Sequence, residues 1–199
     1  MGPESVTDNY YGGIPQKNFF GSLKDYLIEF IETIVIFGAV FFALYLFVAQ
    51  FHKVSGNSMV PTMHNGDYLI TEKVSYRFRS PKQGEIIVLK NPRNESQDFI
   101  KRIIAVPGDT LQIAGSFVYI NGTALKEEYL PAGTVTSAGA FVREGDIIKA
   151  GDNQYFVFGD NRDHSSDSRE WGPVTKEEVI GRAFFRYFPF TDMELLTDN

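Results

Sequence analysis

The sequence has no cysteine, only three histidines and a single tryptophan in 199 residues. Without thiols there is no disulfide framework, no thiolate zinc site and no cysteine nucleophile, and three histidines leave a histidine-rich metal centre unsupported. Positive charge is also short. Nineteen Lys and Arg face 25 Asp and Glu, a formal net charge of −6, which argues against nucleic acid as a partner because phosphate needs a basic face. Internal repeats and low-complexity tracts are missing too. What is present is a chain with 43% hydrophobic and 22% charged residues, a balance that rules out disorder over most of its length. That length suits one domain with an appendage.

The appendage is legible near the N-terminus. From Thr33 to Phe51 the chain reads TIVIFGAVFFALYLFVAQF, with no charged side chain and only Thr33, Tyr45 and Gln50 interrupting an apolar cylinder. As a helix this run is ~28 Å long, against ~30 Å for the hydrocarbon core of a bilayer. A buried core helix normally keeps a polar stripe. A cleaved signal peptide has a shorter apolar run, a shorter leader and an A-x-A site after it, and none of these holds. We therefore expect residues 33–51 to be a single transmembrane anchor and residues 1–32 an N-terminal tail and pre-membrane segment. Residues 1–20, with Pro3, Gly12, Gly13 and Pro15, read as a mobile tail. Lys17 and Lys24 precede the span while His52 and Lys53 follow it, so charge does not set its orientation.

Residues 52–199 are enough for one soluble domain with its own core. Short β-type runs recur there: residues 67–74, 85–90, 99–106, 110–120, 154–158 and 179–188. Turn signals separate them, among them Asn65-Gly66, Pro107-Gly108-Asp109, Asn121-Gly122 and Gly151-Asp152-Asn153. The pattern predicts a mainly β domain, with residues 124–150 as an insertion or cap.

Three segments carry polar residues where simple structure does not ask for them: SGNSMVPTM (55–63), FIKRIIAVPGD (99–109) and GDNRDHSSDSREWGPV (159–174). In the second, strand alternation puts Phe99, Lys101 and Ile103 on one face and Ile100, Arg102 and Ile104 on the other. Lys101 therefore has apolar neighbours on its own side, and burial disfavours a charged ammonium. An ordinary lysine is only ~0.04% neutral at pH 7, whereas a pKa ~3 units lower makes about a quarter available as a base. The bland alternatives are a snorkelling or ion-paired lysine and, for Ser58 after Gly56-Asn57, an ordinary turn serine.

Taken together, the three segments resemble the type I signal peptidase family, the bacterial leader peptidases. SGNSMVPTM is similar to the nucleophile box, FIKRIIAVPGD to the lysine box and GDNRDHSSDSREWGPV to the C-terminal box, with EIIVLK (85–90) similar to the strand between the first two. The resemblance implies a signal-peptidase-like β-sheet or barrel catalytic domain behind a single N-terminal transmembrane helix. It implies Ser58 as nucleophile and Lys101 as general base, the triad idea with a neutral lysine in the histidine role. Ser165 falls where the family orients the lysine amine; Asp160, Asp167, Arg169 and Arg102 fall at supporting positions. The backbone N–H of Ser58 is the implied oxyanion donor. In some members a serine or threonine hydroxyl two residues earlier is the second donor; here that position is Gly56, a departure that leaves the second donor open. Met59, Val60 and Pro61 are candidates for contact with substrate or membrane. The implied partners are the signal peptides of exported preproteins and a lipid bilayer, with no cofactor and no metal. The implied location is the cytoplasmic membrane, single-pass, with the catalytic domain on the extracytoplasmic side.

Other readings of the same residues are weaker. A Ser-His-Asp hydrolase would need His52, His64 or His164 as base, yet G-N-S-M-V lacks the second glycine of the G-x-S-x-G elbow. In the acidic loop from Asp160 to Glu170, Arg162 occupies what would be a calcium-ligand position, so its charges are better paired with one another. The sequons at Asn94 and Asn121 need no more than coincidence. A self-cleaving Ser-Lys peptidase shares the dyad but not the span, and a noncatalytic membrane-tethered module that binds peptides by strand addition leaves the polar boxes without a purpose.

Overall fold

The structure, a computed structural model, describes residues 19–196. Of the tail expected over residues 1–20, all but Phe19 and Phe20 lies outside the described residues. The chain divides into a unit ending at Phe42 and a unit from Ala43 to Asn199. A helix, α1 (Phe19–Phe47), spans that division. It starts well before the expected Thr33, because Lys24, Asp25, Glu29 and Glu32 are tolerated in a helix although they break an apolar run. It also ends earlier than expected. Ala49–Lys53 is a strand, β1, so Ala49, Gln50 and Phe51 leave the predicted span and join the sheet. Within α1, Leu23–Phe47 is long and apolar enough to cross a membrane, and its side chains are exposed all round.

The Ala43–Asn199 unit is mainly β, in two sheets whose paired strands are all antiparallel. The larger has eight strands. Its order runs from β1 through β2 (Tyr68–Glu72), β11 (Val179–Phe188), β3 (Ile86–Asn91), β4 (Asn94–Ala105) and β9 (Gln154–Phe158) to β10 (Val174–Thr175), with β12 (Glu194–Leu195) on β11. The smaller has four: β7 (Thr123–Ala124), β6 (Phe117–Ile120), β5 (Thr110–Ala114) and β8 (Ile147–Lys149). Gly115-Ser116 and Asn121-Gly122 form its two-residue hairpin loops, each with positive φ at both positions, as such turns require.

Strand β3 is a continuous apolar run because both of its faces are covered. Ile86 and Val88 pack with Met59, Met63, Leu69 and Ala183, whereas Ile87 and Leu89 pack with Ile103, Tyr155 and Val157. A third cluster joins Ile104, Phe156 and Phe158 to Leu111, Ile113 and Val118 of the small sheet. The segment 124–150 adds buried Val142 to that cluster and is tied down by Thr136 N–H to the Ser116 carbonyl (3.0 Å) and Gly145 N–H to the Ile113 carbonyl (2.8 Å). Two short helices, α2 (Ser75–Phe78) and α3 (Ser168–Trp171), complete the unit.

Candidate active site

Ser58 stands in the turn that follows β1. The turn is pinned from beneath by Met59 and Met63, which are almost wholly buried, and is closed by the Met63 N–H on the Met59 carbonyl (2.9 Å). Lys101 comes from β4, registered opposite Ile87 of β3. The two side chains meet: Lys101 Nζ lies 2.8 Å from Ser58 Oγ. Lys101 is 2% exposed, and its Nζ sits 5.1 Å from the centroid of the Phe99 ring. Burial pushes the Lys101 ammonium down from 10.5 to about 8, with Asp167 and Asp160 pulling back upward and Arg169 adding to the fall. Ser58 Oγ thus meets an amine, not an imidazole.

The segment after β9 closes over this pair. Asn161 donates its backbone N–H to the Ser58 carbonyl and its carboxamide to the Asn57 carbonyl, both at 3.0 Å. Asp160 receives Arg102 in a two-point contact (3.0 and 2.8 Å) and also the Thr62 hydroxyl (2.5 Å), linking the lysine strand to the nucleophile turn. Asp167 pairs in the same way with Arg169 (2.8 Å to each carboxylate oxygen) and accepts the Gly159 N–H (3.0 Å). Arg162, buried, spans from the Gly159 carbonyl to Glu127 and Thr136 and so anchors the loop to segment 124–150. The loop's carboxylates Asp160 and Asp167 are therefore engaged by arginines.

The other expected site residues stand less directly at the dyad. Ser165 Oγ is buried without a hydrogen-bond partner among the described residues, so it does not hold the Lys101 amine in this structure. Gly56, at the position left open for the second oxyanion donor, has no side chain, and its N–H goes to Asn65 Oδ1 (3.0 Å). Its φ of +101° suits glycine at that turn. Met59 lines the cleft but belongs mainly to the core, while Val60 and Pro61 are not among the cleft's lining residues. Sequence reasoning missed Asn161, Thr62 and the structural use of Arg162. It also missed what Gly159 does. A Cβ there would lie 2.4 Å from the Ser58 carbonyl oxygen and 2.3 Å from Ser165 Oγ. Gly159→Ala is thus expected to force the loop off the nucleophile turn, reducing turnover by at least ~10-fold by misplacing reacting groups. Unchanged kcat for a peptide substrate would refute that contact.

Ser58, Lys101 and Phe99 line a cleft of about 310 Å³ together with Val54, Met59, Val88 and Ile100. Beside it, β4 pairs with β9 only from Arg102 onward, so the outer edge of Asp98–Lys101 takes no strand partner among the described residues. The family model for signal peptidase, peptidase S26, matches residues 27–188, which include the Ser58 turn, the Lys101 strand and the Asp160–Arg169 loop. The chain belongs to that family. It is similar to a Synechocystis protein named "Probable signal peptidase I-2", with 43% identity over 77% of this chain and 69% of the relative. Signal peptidase I of Leptolyngbya laminosa is 37% identical over 82% of this chain and 80% of the relative. Signal peptidase I of Bacillus licheniformis is 33% identical over 85% and 93%. A crystal structure of a signal peptidase I from Enterococcus faecalis is 30% identical, covering 52% of this chain and 97% of that one, with a TM-score of 0.44. Membership in the signal peptidase family makes the chain a serine endopeptidase.

Proposed function

We propose that this signal peptidase family member removes N-terminal signal peptides from exported preproteins through a Ser58–Lys101 dyad and an acyl-enzyme. The observation that carries the reading is the contact between a dry lysine amine and the serine hydroxyl. In its neutral form the amine takes the Ser58 proton as Oγ attacks the scissile carbonyl. The carbonyl oxygen becomes an oxyanion within reach of the Ser58 backbone N–H. Lys101 then returns the proton to the departing amine, an ester to Ser58 remains, and the same amine deprotonates the water that releases it. Arg102–Asp160 and Asp167–Arg169 hold the two halves of the site in register.

The substrate lies extended along the free β4 edge, and the apolar wall of Val54, Met59, Val88 and Ile100 favours small side chains at −1 and −3. The exposed apolar helix Leu23–Phe47 serves as a single membrane anchor, because in water its uncovered surface has no favourable partner. The catalytic unit then stands on the extracytoplasmic side of the cytoplasmic membrane, where preproteins emerge.

A base with pKa about 8 sets the pH profile. The neutral fraction is ~1% at pH 6, ~10% at pH 7 and ~90% at pH 9, so kcat/KM should climb nearly 100-fold across that range and then level. Cleavage of a preprotein in detergent, lost in Ser58→Ala, measures it. A profile flat between pH 6 and 9 contradicts a lysine base.

A further inference from the structure

Two peptide groups flank Ser58, and one residue takes hold of both. Asn161 gives its backbone N–H to the Ser58 carbonyl and its side-chain carboxamide to the Asn57 carbonyl, each at 3.0 Å. Further back in the turn, Gly56 N–H is held by Asn65 Oδ1. The Ser58 N–H, by contrast, donates to no group among the described residues. We propose that Asn161 is a positioning residue for the oxyanion: by holding the Asn57 carbonyl, its carboxamide aims the Ser58 N–H of the same peptide group at the charge that develops on the scissile carbonyl. The inference rests on the peptidase reading above.

The aim follows from peptide geometry. The Asn57–Ser58 bond is trans, so the carbonyl and the N–H of that planar group point in opposite directions. Fixing one fixes the other. Asn57, Ser58 and Lys101 line the cleft, whereas Asn161 is not among its lining residues. The carbonyl therefore turns to the loop, which leaves the N–H for the cleft. A donor on the carbonyl also polarises the group and strengthens its N–H. The second hold, on the Ser58 carbonyl, keeps the following peptide group from turning. Val60 N–H also reaches the Asn57 carbonyl, but at 3.3 Å, a longer bond that keeps the turn formed while gripping it less firmly. Because Gly56 has no hydroxyl to share the charge, the direction of the Ser58 N–H matters more here.

The test uses the full chain in detergent, a cleavable peptide, and the matching peptide aldehyde, whose carbonyl carbon Ser58 Oγ attacks to set a tetrahedral centre's oxygen where the oxyanion forms. Asn161→Ala keeps the backbone bond to the Ser58 carbonyl. It should lower kcat about 5- to 15-fold, the scale of one hydrogen bond, with KM within twofold and the midpoint of the pH profile unmoved. Affinity for the aldehyde should fall by a similar factor. Binding of the uncleaved peptide should be the same in Ser58→Ala with and without Asn161→Ala. Asn161→Asp keeps the shape of asparagine but sets an acceptor against an acceptor, so it should be slower than Asn161→Ala; a packing role predicts the reverse order. A kcat for Asn161→Ala within twofold of wild type, a loss confined to KM, a shifted pH midpoint, or Asn161→Asp faster than Asn161→Ala would each overturn the proposal while leaving the peptidase reading in place. Failure of wild type to cleave the peptide would remove that reading, and the role of Asn161 with it.

Discussion

Lys101→Met should abolish turnover and at the same time make the protein more stable. Below pH 8 the native site holds a charged amine that burial has pushed from 10.5 to about 8, so the fold bears a penalty of about 3 kcal/mol there. Methionine keeps the length and the apolar stem but brings no charge. After about 1 kcal/mol is subtracted for the lost contact with Ser58, the variant should gain about 2 kcal/mol at pH 7. That corresponds to a rise in Tm of roughly 4 to 8 °C. The pH dependence has a definite sign. Between about 8 and 10.5 the unfolded lysine keeps its proton while the native one has lost it, so wild-type stability rises with pH across that window. The advantage of Lys101→Met therefore shrinks above pH 8, is gone by about pH 9.5 and is reversed by about 1 kcal/mol near 10.5, where only the lost contact with Ser58 remains. Lys101→Arg should also be inactive, because a guanidinium does not deprotonate in a protein. Thermal unfolding of the three proteins at pH 7 and pH 10 checks this. A destabilised Lys101→Met at pH 7 would mean that the lysine serves the fold rather than the chemistry.

Arg102→Met should have the opposite effect on stability. Arg102 is buried, gives two hydrogen bonds to Asp160 and one to the Gly84 carbonyl (2.9 Å), and lies 3.8 Å over the Tyr129 ring. Removing it leaves the Asp160 carboxylate, which has no exposed side-chain surface, with the Thr62 hydroxyl as its remaining side-chain donor. An uncompensated buried charge of this kind costs about 3 to 5 kcal/mol. Because Asp160 also grips Thr62, the nucleophile turn should loosen and kcat should fall with it. Replacing Asp160 by leucine in the same protein removes the orphaned charge and should restore much of the stability but not the activity. Urea unfolding gives the comparison. A single variant within about 1 kcal/mol of wild type would show the pair to be ornamental.

Much of this molecule was readable from its residues. The runs 154–158 and 179–188 are strands with those bounds, and all of EIIVLK but Glu85 falls in β3, Ile86–Asn91. Alternation also gave the right faces of β4: Phe99 and Ile103 pack in one cluster and Ile100 in another. The membrane-proximal boundary was misread because Val48–Phe51 is as suitable for a strand as for a helix, and only pairing with Thr71 and Glu72 decides it. Contacts across long stretches of sequence left no local trace. Arg162 finds Glu127 and Thr136, and Arg186 ties Asp67, the Thr62 carbonyl and Glu194 together behind the nucleophile turn. Nor does sequence spacing fix a loop rotamer, which is why Ser165 was expected on the lysine and is found without a partner.

The most direct measurement is titration of the Lys101 amine itself, by NMR of the protein carrying ¹³Cε-labelled lysine, with Lys101→Arg to assign the signal. A midpoint near 8, shifted or lost in Ser58→Ala, is the predicted result. An amine that stays charged up to pH 10 would contradict a neutral lysine base at this site.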